Sequence, residues 1–243
     1  MEIYSLNNLQ KLIQAKYSTT DECEFPDERL FTSILWNQLY SSSPTDILLC
    51  EQMISRLSVI YKLDVEQLAG IFHSIAYNSY EEKEYLFSAY CFRQACKMKE
   101  SVSYRNNLAF VLRRHHQMED VTKMEIIDLL LPGIKEKESF SIVNMSLFLS
   151  EVLATENDWQ TADSLMKLLD EENFEIEQWW SNMASKNEAE GYLVIMWLLR
   201  HGKIEHSGIG TFETIIRKVE NLYPQAPKWL FNKVKNDTYY EFD

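Results

Sequence analysis

Apolar residues recur along this chain at intervals of three and four, the spacing that places them on one face of a helix. Asp27 and Pro26 precede Leu30, Ile34, Leu35 and Leu39, and Ser41-Ser42-Ser43-Pro44 breaks that stripe. Thr45 or Asp46 caps a second stripe through Ile47, Leu48, Met53, Ile54, Leu57 and Ile60, and Asp64 opens a third through Leu68, Ile71, Phe72 and Ile75. The same reading predicts helices over 80–99, 102–116, 120–131 and 139–155, with Pro132-Gly133 as the stop before the last. Further helices are expected over 159–169, 175–185, 188–200 and 211–222, with a short one after Pro227. No segment alternates with period two between turn residues, so the expected fold class is all-α.

Helices in series raise the question of repeats. The set Leu149-Ser150, Leu153, Trp159, Ala162, Met166, Leu169 has a large-small pair, an apolar position, an aromatic, a small residue and two more apolar positions. Ile75-Ala76, Tyr85, Ser88, Phe92, Ala95 repeats this order, and Leu108-Ala109, Leu112, Met118, Val121 follows it loosely. This pattern resembles the tetratricopeptide (TPR) repeat, which implies antiparallel helix pairs crossing at Ala76, Ser88, Ala95, Ala109, Ser150 and Ala162. From Ala76 to Ala109 is 33 residues and from Ala109 to Ser150 is 41, against a repeat of about 34. The resemblance implies a TPR-like α-solenoid, or an irregular superhelix of helix pairs, in one all-helical domain over 1–243. Its parts are N-terminal helices over 1–68, repeats over 69–176 and C-terminal helices over 177–243. Residues 188–204, with Ala189 and Gly191, look like the first helix of a further repeat or of the related Sel1 type.

Composition narrows the functional classes. Of 243 residues 46% are hydrophobic and 25% charged, which excludes an intrinsically disordered chain. Six glycines leave no material for a glycine-rich phosphate loop, and GxSxG, HExxH and GxGxxG are absent. Cys23, Cys50, Cys91 and Cys96 form no CxxC pair, so reduced and mostly buried thiols are expected. The longest uncharged apolar stretch, Gly191 to Leu199, is nine residues, and Met1-Glu2-Ile3-Tyr4-Ser5 is unlike a secretory leader. These readings place the chain in the cytoplasm, away from membranes, with no metal and no cofactor.

The histidines offer little chemistry. His115 and His116 adjoin Arg113 and Arg114 at a helix end, where cations complement the dipole. His201 and His206 flank Gly202 as a helix stop and loop, and His73 lies among Ile71, Phe72 and Ile75 as a core histidine. Glu81, Glu82 and Glu84 read as the acidic first turn of a helix, and Trp36, Trp159 and Trp197 as core.

Charge is more informative. The net charge is −13, and residues 151–190 hold eleven acids against two bases, which puts −9 in that block. Residues 93–116 hold six Lys or Arg against the single acid Glu100. Trp179-Trp180 lies inside the acidic block, and adjacent helical positions cannot both face one core. A block of acids beside an exposed aromatic suits a basic protein partner and repels nucleic-acid phosphates. The candidate partner-binding residues are Glu156, Asp158, Asp170, Glu171, Glu172, Glu175, Glu177, Trp179 and Trp180.

The expected function is therefore non-enzymatic protein binding. An acidic, loosely repeated helical chain resembles the immunity proteins with which bacteria neutralise toxins, many of them basic nucleases, by covering an active or substrate-binding surface. Two other readings stay open: a chaperone or adaptor holding peptides in a groove, and a ligand sensor or enzyme with a pocket between helices.

Overall fold

The computed structural model describes residues 54–55, 58–59, 62–114, 119–169, 174–186, 188–205 and 207–232; the side chains of 174 and 175 are outside this set. The helices expected over 27–40 and 45–60, together with Trp36, Cys23, Cys50, His115, His116 and His206, lie wholly or largely outside it. Among the described residues the fold is all-α, with nine α-helices and no strand. They are α1 (Val65–Glu81), α2 (Tyr85–Met98), α3 (Val102–Arg114), α4 (Asp120–Lys135), α5 (Ser139–Phe148), α6 (Glu156–Met166), α7 (Phe174–Ser185), α8 (Ala189–Arg200) and α9 (Phe212–Leu222). A π-helical turn, Leu149–Leu153, extends α5, and a 3₁₀ turn, Lys228–Phe231, follows α9. Packing is mainly between chain neighbours: α1 on α2, α2 on α3, α5 on α6, α7 on α8 and α8 on α9. The chain divides into two compact units, Met1–Thr122 and Lys123–Asp243, with the division in the first turn of α4.

Helix starts follow the expected side-chain chemistry. Asp64 accepts from the Gln67 backbone N–H at 2.8 Å while Gln67 returns a bond to the Asp64 N–H at 3.0 Å, a reciprocal cap. Thr155 and Asp158 form the same box on α6, and Thr211 caps α9. Helix ends depart from expectation. Pro132 and Gly133 do not stop α4, which runs on to Lys135. Proline forfeits its own N–H bond and crowds the carbonyl four residues earlier, but the residues after it remain free to take helical geometry. The chain turns at Lys137 instead, in the left-handed region at φ 58°, with Glu138 N–H donating to Gly133 O at 2.8 Å and Lys137 N–H to Ile134 O at 3.0 Å. Lys83 does the same at φ 66° between α1 and α2. The helix expected over 80–99 is therefore the end of one helix and the whole of the next. Glu81 closes α1, Glu82 caps it, and Glu84 is the N-cap of α2, so the three glutamates form a turn and not a first helical turn.

Small residues stand at two of the helix crossings. Ala76, Ser88, Ala95, Ala109, Ser150 and Ala162 are all buried. Ser88 Oγ donates to Ala76 O at 2.7 Å across α1 and α2, and Ser146 Oγ donates to Ala162 O at 3.2 Å across α5 and α6. Both bonds need a hydroxyl on one helix to reach the backbone of the other, which only short side chains at the crossing allow. The first and third repeat sets thus each form a helix pair. In the middle set Leu108, Ala109 and Leu112 are buried on α3, but Val121 is 77% exposed, and Met118 is outside the described residues. Residues 189–200 form α8, which packs on both α7 and α9.

Histidine 73 behaves as a core residue of the first unit. Its Nε2 accepts from Asn107 Nδ2 at 2.9 Å, which ties α1 to α3 and leaves the ring hydrogen on Nδ1. Tyr104 stacks on the imidazole at 4.6 Å and Phe92 meets it edge-on at 5.3 Å. Burial pushes the His73 pKa down from its ordinary value, so the ring stays neutral.

Helix α8 is apolar all round. Leu193 through Leu198 are each 0% exposed, and besides α7 and α9 the helix touches α5 and α6. Gly191 lets it approach α7: a Cβ there would lie 2.3 Å from Ala184 N and 2.7 Å from Trp180 O. Gly191→Ala is expected to lose about 3 kcal/mol or more, despite a gain of about 1 kcal/mol in helix propensity, whereas Gly208→Ala, with open space around it, should stay within about 0.5 kcal/mol. Urea unfolding of the two variants makes the comparison. Lys137→Gly and Lys83→Gly relieve a left-handed backbone and should each raise stability by about 0.5–1 kcal/mol in the same assay.

Candidate functional site

The described candidate residues of the acidic block lie on two helices. Glu156 and Asp158 lie in the first turn of α6, which packs on α5 and the π turn; Glu177, Trp179 and Trp180 lie on α7, which packs on α8. Asp170, Glu171 and Glu172 are outside the described residues, and Glu175 is in α7 with its side chain outside them. Trp180 is 1% exposed and belongs to the core, so of the tryptophan pair only Trp179, at 38%, is open to a partner. It stands edge-on to Phe140 of α5 at 6.5 Å.

Several acids of the block have structural work. Asp158 accepts from the Thr155 hydroxyl and backbone N–H at 2.5 and 3.1 Å in the α6 cap. Glu151 accepts from Tyr223 Oη at 2.5 Å, which joins the π turn to the end of α9. Asp163 is buried at the centre of an ionic cluster. Its Oδ1 accepts from His201 Nε2 at 2.8 Å and from Arg200 Nε at 3.2 Å, and Lys167 Nζ lies 3.3 Å from Oδ2. Burial by itself pushes the Asp163 carboxyl up. The His201 hydrogen bond and the charges of His201, Arg200 and Lys167 outweigh it and hold the pKa below the ordinary 3.8.

Arg200 carries the cluster to the C-terminal segment. Its Nη1 donates to Leu230 O at 2.9 Å and to Asn232 O at 2.5 Å, and its guanidinium lies 5.9 Å over the Trp229 ring. One side chain therefore fixes α6, the end of α8 and the 3₁₀ turn. Next to it is a pocket of about 430 Å³, lined by Ala154, Glu156, Trp159, Gln225, Pro227, Lys228 and Trp229. Trp159 forms part of the wall while fully buried, tilted against Trp197 at 6.2 Å and edge-on to Tyr223 at 6.2 Å.

Sequence reasoning counted Asp163 as one acid among eleven and read His201 as a helix stop. The available signal was phase: Asp163 lies four residues after Trp159, next to Ala162 and three before Met166, on the inward stripe of α6. Arg200-His201, placed directly after the apolar run of α8, was the matching base. Among the described residues no group of three His, Cys, Asp or Glu side chains could hold a metal ion, and no helix is long and apolar enough to cross a membrane. Comparison with protein-family models, curated proteins and solved structures finds no match.

Asp163→Asn keeps the shape but leaves buried cations without their counter-charge and should cost about 3–5 kcal/mol, whereas Lys167→Ala, which removes an exposed partner, should cost under about 1 kcal/mol. Because the folded pKa of Asp163 lies below its unfolded value, its contribution is whole above about pH 4 and is lost as pH falls through the folded pKa. Acid titration followed by circular dichroism should show that Asp163→Asn flattens this acid limb.

Proposed function

We propose that this chain is a non-enzymatic, protein-binding helical-repeat protein that docks a basic partner on its acidic second unit. In its most specific form it is an immunity protein that covers the active or substrate-binding surface of a cognate toxin. The observation that carries this reading is Trp179, a large aromatic left 38% exposed in a segment that holds most of the excess negative charge. Exposed aromatics surrounded by like charge act as anchors, while the charge steers an oppositely charged protein into encounter. The helix pairs α1–α2 and α5–α6, each crossing at small residues, support stacking of the TPR-like kind.

The test takes the protein that co-purifies with the chain from its native host at one-to-one stoichiometry and measures binding rate against ionic strength. Charge reversal in a Glu156→Lys, Glu177→Lys variant should slow association and flatten its salt dependence, since rim charges act on encounter. Trp179→Ala should leave association nearly unchanged and speed dissociation about tenfold or more. Unchanged kinetics in both variants would remove this surface from consideration.

A further inference from the structure

We infer that the pocket between the first turn of α6 and the 3₁₀ turn binds a small dipolar ligand, an amino acid or dipeptide with a free ammonium group, a free carboxylate and an apolar body. Most acids of the surrounding segment are engaged within the fold, yet among the described residues the polar groups of this pocket are not. Glu156, Gln225 and Lys228 line it, and none makes a hydrogen bond or ion pair with another described residue. The pocket thus presents one unsatisfied carboxylate, one unsatisfied ammonium and an amide. A simple cation gains from Glu156 what it loses to Lys228, and a simple anion the reverse. Only a ligand carrying both charges gains from both.

The body of the ligand is set by the remaining walls. Trp159, Trp229, Pro227 and Ala154 offer apolar and aromatic surface, and about 430 Å³ is within the range of small-molecule sites. The indole N–H groups of Trp159 and Trp229 are buried with no acceptor among the described residues. A carboxylate or peptide carbonyl supplies one with a small adjustment of the ring. The two walls are also held in place before any ligand arrives. Arg200 bonds Asp163, four residues from Trp159, and at the same time the carbonyls of Leu230, in the turn that carries Lys228 and Trp229, and of Asn232 directly after it. A preorganised site loses less freedom on binding.

The probe is the dipeptide Ala-Phe, compared with N-acetyl-Ala-Phe, which lacks the ammonium, and Ala-Phe amide, which lacks the carboxylate. Binding is followed by calorimetry and by the indole ¹H–¹⁵N signals of the full chain, with Trp229 assigned from a Trp229→Phe variant. Ala-Phe should saturate with a Kd of about 1 mM or below and move the Trp229 signal, and blocking either end should weaken binding about tenfold. Glu156→Gln should abolish the preference over N-acetyl-Ala-Phe, and Lys228→Gln the preference over the amide, with the fold unchanged because both side chains are exposed. No saturation by about 10 mM, or equal affinity for the three probes, overturns the assignment. Glu156 is common to this site and the docking surface, so Trp179→Ala separates them: it weakens protein docking and leaves dipeptide binding as it was.

Discussion

Helix α8 has no polar side, and the second unit is built to satisfy that constraint. A helix buried all round needs apolar neighbours in every direction, and α5, α6, α7 and α9 all reach it. Such a helix also needs at least one neighbour to come close enough to leave no void, because packed interiors tolerate little empty space. Gly191 provides that approach by letting the backbone of α7 occupy the volume of a side chain. The polar end of the helix is the remaining difficulty. Arg200 and His201 emerge from the apolar run into a half-buried position, and Asp163 on α6 neutralises them there.

From that neutralisation follows the geometry of the pocket. Asp163 brings in Arg200, Arg200 takes two carbonyls of the C-terminal segment, and the segment sets Trp229 and Lys228 opposite Trp159 and Glu156. The ionic cluster is therefore structural, yet it acts on any ligand of the pocket by fixing where the walls stand. Its buried charges are retained in spite of a desolvation penalty that a well-packed apolar trio would avoid. What the apolar trio could not do is bond the backbone carbonyls of Leu230 and Asn232, which a guanidinium with several donors can.

The acids of the block divide by the same logic. Those with a hydroxyl, an N–H or a guanidinium at hand, namely Asp158, Glu151 and Asp163, hold elements together. Glu156 has no such neighbour among the described residues, and Glu177 meets only Ser181 Oγ at 3.4 Å. Negative charge in the block thus serves architecture first, and what is left over is available for recognition. Both proposals draw on it, a protein at the Trp179 surface and a small dipolar molecule at the Trp159 and Trp229 pocket.

The sequence by itself determined the helices, because spacing of three and four along a chain is a local property that each segment carries alone. It determined which small residues sit at crossings, since Ala76, Ser88 and Ala162 fall on apolar stripes where no large side chain competes. It required that Trp179 and Trp180 differ in burial, because neighbouring helical positions point about 100° apart, but only the fold decided that Trp180 is the buried one. Where the helices end was less legible, since a lysine forced into the left-handed region at 83 and 137 leaves no compositional mark, and the glycine and proline at 132–133 gave a false one. The site was the least legible of all. Asp163 and Arg200 are 37 residues apart, and Glu156 and Lys228 are 72 apart. Only tertiary packing decides which charges meet across such distances, because an acid looks the same in sequence whether it caps a helix, pairs with a buried arginine or lines a pocket.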